Sequence, residues 1–107
     1  MSQAFWAAVR QQLTELRTAT SAADVLRILS PERNPYRLED PNWDGQDGGA
    51  KGFFAGSGGN DQVNEVLEEA GWEYLWSRAA YWWAMRAPDG SVITYCEGDI
   101  YEGDRRP

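Results

Sequence analysis

Apolar residues recur at helical spacing near the N-terminus, at Phe5, Val9, Leu13 and Leu16, with Trp6 beside them. Gln11, Gln12, Thr14, Glu15 and Arg17 fill the other face, which predicts an amphipathic helix capped by Ser2 and ending near Thr18. Ser21 followed by Asp24 resembles a capping box, and Val25, Leu26, Ile28 and Leu29 follow it. Pro31 stops that run, because proline has no backbone N–H to donate. A second helix over about 21–30 results. From Pro31 to Asn60 no period survives. Pro31, Pro35 and Pro41 come first, glycines crowd residues 45–59, and Gly56-Ser57-Gly58-Gly59 reads as a flexible tether. Asn60 or Asp61 then caps a third helix with Val63, Val66, Leu67 and Ala70 on one face, and Gly71 stands where a C-cap glycine belongs.

After Gly71 the period changes to two. Trp72, Tyr74 and Trp76 alternate with Glu73, Leu75 and Ser77; Tyr81, Trp83 and Met85 alternate with Trp82, Ala84 and Arg86. Pro88-Asp89-Gly90 is turn chemistry, and Ser91 to Glu97 reads as a third strand. Glu97-Gly98-Asp99 returns as Glu102-Gly103-Asp104, which we read as two turns around a brief extended piece, with 104–107 a frayed tail. The expectation is one α+β domain over residues 1–107. It has two N-terminal helices, a long glycine-rich irregular segment, a third helix and a three-stranded antiparallel meander.

Composition narrows what such a domain can do. The hydrophobic fraction is a lean 42%, so six Trp, five Tyr and three Phe must supply much of the core. The formal net charge is −7, and residues 61–107 hold ten acids against four bases. That sign disfavours nucleic acid and anionic membrane, which are bound through Lys and Arg, and suits a basic protein partner. The single cysteine, Cys96, points to a reducing compartment, and no apolar run is long enough for a membrane span, so a cytoplasmic location is expected. Nine arginines to one lysine fit a GC-rich bacterial or phage genome.

Candidate chemistry is thinned by absence. The chain has no histidine, so Ser-His-Asp and Cys-His catalysis is excluded. Cys96 stands beside Glu97, which opposes a thiolate. Asp40-Pro41-Asn42-Trp43-Asp44-Gly45 matches the opening of a calcium-loop pattern, but the position that needs a bidentate Glu is Lys51. Asp40, Asn42, Asp44 and Asp47 are therefore weak metal candidates, and no cofactor is expected.

The aromatic ladder stands out more. Alternation puts rings on both sheet faces, and the face carrying Leu75, Trp82, Ala84, Ile93 and Tyr95 is either open or covered by the glycine-rich segment. Trp, Tyr and Arg dominate interface hot spots. The reading is a non-catalytic binding module of inhibitor, immunity or phage host-takeover type. Trp76, Trp82, Tyr95 and Tyr101 would anchor a basic protein partner, with Glu97, Asp99, Glu102 and Asp104 steering by charge. A homodimer closed by the same aromatic face is the alternative, and a divalent-metal protein using the 40–47 loop the second.

Overall fold

The computed structural model describes residues 2–41 and 60–106. The order of elements is α1 (Gln3–Leu16), α2 (Ala22–Ile28), a 3-10 turn (Pro31–Arg33), α3 (Tyr36–Glu39), α4 (Asn60–Glu69), β1 (Glu73–Ala79), β2 (Trp82–Arg86), β3 (Val92–Cys96) and β4 (Asp99–Glu102). The fold is α+β. Its strands form one antiparallel sheet in the order β1-β2-β3-β4. The sheet thus has four strands where the alternation pattern gave three. The irregular stretch also contains two short helical turns, while the glycine tether falls outside the described residues.

Local chemistry explains most element boundaries. Ser2 and Ser21 hydroxyls accept from the N–H of Phe5 and Asp24, both at 3.1 Å, so each helix starts on the serine that caps it. Gly71, at φ +97°, ends α4: its N–H bonds Glu68 O and the Trp72 N–H bonds Leu67 O. Those paired bonds satisfy the last carbonyls of the helix and turn the chain straight into β1. Pro88 opens the β2–β3 turn, closed by the Gly90 N–H on Ala87 O at 2.9 Å. Ser91 Oγ accepts from the Ala22 N–H at 2.8 Å, which ties that hairpin to the start of α2.

The fourth strand follows from a two-residue hairpin. Cys96 pairs with Asp99, and both residues between them have positive φ, Glu97 at 50° and Gly98 at 95°. Such a primed turn matches the twist of the flanking strands and sends the chain back alongside β3.

The helices cover one face of the sheet. Phe5, Val9, Leu13 and Leu16 of α1 join Val25 and Ile28 of α2 and Val63, Val66 and Leu67 of α4 in a core with Trp83, Met85, Ile93, Tyr95 and Ile100. Trp72 is buried there too, its indole N–H donating to Ala19 O at 3.0 Å. Exposed ion pairs trim the rim, among them Arg17 with Glu69 and Arg33 with Glu15.

Two carboxylates link this fold to pH. The Thr20 backbone N–H, then Arg27, holds Asp24 below its ordinary range; Arg33 does the same for Glu15. A lowered folded-state pKa gives stability that is present above the unfolded value and lost as pH falls through the folded one. Asp24→Asn is therefore expected to flatten the acid limb of stability below about pH 4, as read by urea midpoints across pH.

Candidate functional site

Strand register decides which aromatic rings meet. Trp83 pairs with Tyr95, and Tyr95 with Ile100, so all three share the helix-covered face. Trp82, Ala84, Thr94, Cys96, Asp99 and Tyr101 lie on the opposite, outer face. Ile93 and Tyr95 do not accompany Trp82 and Ala84, as the sequence pattern had them. The β2–β3 connection pairs Met85 with Ile93, which brings odd-numbered positions onto one face.

A bulge corrects the pattern in β1. Tyr74 pairs with Met85 but Trp76 pairs with Ala84, so the register shifts between them. One extra residue switches the following side chain to the other face. Tyr74 therefore keeps to the helix side, at its exposed margin, edge-on to Trp83 at 5.9 Å, and its hydroxyl accepts from Asn64 Nδ2 of α4. Trp76 turns outward and meets Trp82 edge to face at 6.1 Å.

Of the four expected anchors, three are together on the outer face. Trp76, Trp82 and Tyr101 are each half-buried. Tyr95 is not with them: it is 2% exposed and stacked on Trp83 at 5.0 Å inside the core. The acids also divide. Asp99 is on the outer face, Glu97 in the β3–β4 turn, and Glu102 pairs with Ile93 and so belongs to the helix side of β4.

Asp104 completes the outer face from beyond the sheet. Residues 103–106, of which 104–106 were expected in a frayed tail, cross it as a strap. Thr94 Oγ1 donates to Gly103 O at 2.7 Å and accepts from the Arg105 N–H at 2.9 Å. The Gly103 N–H bonds Val92 O at 2.7 Å, and Asp104 Oδ1 accepts from the Trp76 indole N–H at 2.8 Å. The Arg105 guanidinium lies 5.3 Å from the centre of the Tyr101 ring, a cation–π arrangement. Sequence reasoning missed this strap because its anchor, the Thr94 hydroxyl, reads as one more polar strand position.

Burial first, then Glu97 and Asp99, raises the Cys96 thiol above its ordinary value, so at neutral pH it stays protonated and weakly nucleophilic. Among the described residues no cluster of three Cys, Asp or Glu side chains could hold a metal ion. Asp40 ends α3, its N–H bonded to Tyr36 O at 2.8 Å, while Asn42, Asp44 and Asp47 lie outside the described residues. No helix among the described residues is long and apolar enough to cross a membrane.

No protein-family model, curated protein or solved structure matches the chain.

Proposed function

We propose that the protein is a non-catalytic binding module whose outer sheet face docks on a basic protein partner. One observation carries this reading: Trp76, Trp82 and Tyr101 share the face turned away from the helices, and all three are half-buried. Rings held this way are stiff before a partner arrives, so they lose little freedom on binding. The half of the chain that builds this face is acidic overall. Residues 61–107 carry ten acids and four bases, which favours association with a basic surface and disfavours phosphate-bearing partners. Inhibitors, immunity proteins and host-takeover proteins work by such occlusion, without chemistry of their own. A lone thiol that stays protonated suits a reducing compartment, and the cytoplasm is the location that goes with this reading.

The test uses the immobilised full chain beside a Trp76→Ala/Trp82→Ala variant, exposed to lysate at low and high salt. A basic protein is expected to be retained by the parent chain and then purified for titration. The double variant should weaken its binding by about thirtyfold or more, the effect of losing a central aromatic hot spot. Raised salt should slow association, because the steering charges are exposed. Equal retention by both forms would remove the outer face from the function. A parent chain that scatters light as a dimer, and a variant that does not, would instead assign the face to a second copy.

A further inference from the structure

Ala84 and Thr94 sit at the centre of the outer face, yet they are 0% and 1% exposed. Among the described residues the segment bonded over Thr94 on that side is the strap. We infer that Gly103–Arg106 is an intramolecular ligand of the outer face, and that an extended basic segment of a partner takes the central positions by displacing it. This inference rests on the docking reading of the same face.

The strap is bound as a peptide would be. Its backbone is held from both sides by one hydroxyl, with the Gly103 carbonyl accepting from Thr94 Oγ1 and the Arg105 N–H donating to it. Its carboxylate takes the Trp76 indole N–H, and its guanidinium lies over Tyr101. These features define the recognised segment: extended backbone opposite Thr94, an acceptor for Trp76, a cation for Tyr101. Arg105 over Tyr101 shows that an acidic domain can seat a basic residue on this face.

The same contacts make the strap removable. Gly103, Asp104, Arg105 and Arg106 contribute no apolar side chain to the core, and the last three are exposed. A segment held by hydrogen bonds and one cation–π contact, without apolar burial, belongs to the low-stability end of a fold. Gly103, at φ +92°, with open space where a Cβ would be, is the joint at which the strap leaves β4. A partner segment need match only these few bonds to compete.

The experiment uses the full chain with Asp104→Lys/Arg105→Glu, which leaves Trp76, Tyr101 and Thr94 in place while removing the strap's complementarity. The probe is a blocked synthetic peptide of the natural strap sequence, Glu-Gly-Asp-Arg-Arg-Pro. In NMR spectra the Trp76 indole N–H should shift in the variant. Peptide at about millimolar concentration, the effective concentration a short tether supplies, should return it toward its original position. The parent chain should ignore the same peptide, and adding Thr94→Val to the variant should abolish the return. An unshifted Trp76 in the variant would overturn the inference. So would peptide that moves neither form, or both equally. Failure of the docking reading would look different: a captured partner indifferent to Trp76 and Trp82, with the peptide result intact.

Discussion

Trp83→Ala is expected to destabilise the fold by about 3–5 kcal/mol, the range for removing a large buried aromatic. Trp83 is 1% exposed and stands at the centre of the helix-covered face. Its ring lies nearly parallel to Tyr95, 7° between planes, and edge-on to Tyr74. Truncation removes both ring contacts and leaves a cavity between the helices and the sheet. A domain of this size has total stability of order 5–15 kcal/mol, so the variant loses a large share of it. Urea unfolding followed by far-UV circular dichroism reads the change as a lower midpoint at unchanged slope. Trp83→Phe, which keeps an aromatic ring against Tyr95, should recover most of the loss. A midpoint for Trp83→Ala within error of the parent would mean that the core is not centred on this ring.

Gln12→Ala should cost about 2–4 kcal/mol, combining a lost buried side chain with carbonyls left unsatisfied. Gln12 lies on α1 but is only 2% exposed. Its side-chain amide donates to Ile28 O and to Arg33 O, both at 3.0 Å, and so joins α1 to the end of α2 and to the 3-10 turn. Ile28 O keeps a second donor in Arg33 Nη1. Gln12→Glu gives a sharper signature. At neutral pH it would face two carbonyl oxygens with a carboxylate, so burial would raise its folded-state pKa. An acid with a raised folded-state pKa stabilises least above its unfolded value and most below it. The deficit of Gln12→Glu relative to the parent should therefore shrink as pH falls toward about 4. A deficit independent of pH would place the side chain in solvent.

What was legible in the sequence was local. Ser2, Ser21, Gly71 and Pro88-Asp89-Gly90 each act on their own neighbours, and the helix boundaries and the central hairpin follow from them. Three features depended on partners distant in the chain. Gln12 reads as one glutamine among the polar residues of α1, and only the carbonyls at 28 and 33 make it a core residue. The β1 bulge turns Trp76 away from Tyr74, which strict alternation cannot anticipate. Glu97 takes a positive φ usually left to Asn or Gly, so its turn signal was visible but the hairpin, and with it β4, was not. At the site, the ring types and the acidic balance were legible. The placement of Tyr95 inside and of the strap outside was not, because both follow from register and from the Thr94 hydroxyl.

The most direct measurement is the set of indole N–H resonances as a purified partner is added. The docking account predicts that the Trp76 and Trp82 signals shift or broaden with saturation, while Trp72, bonded to Ala19 O inside the core, stays fixed. Movement of Trp6, exposed on α1, with Trp76 and Trp82 unchanged, would contradict it and assign recognition to the helical side.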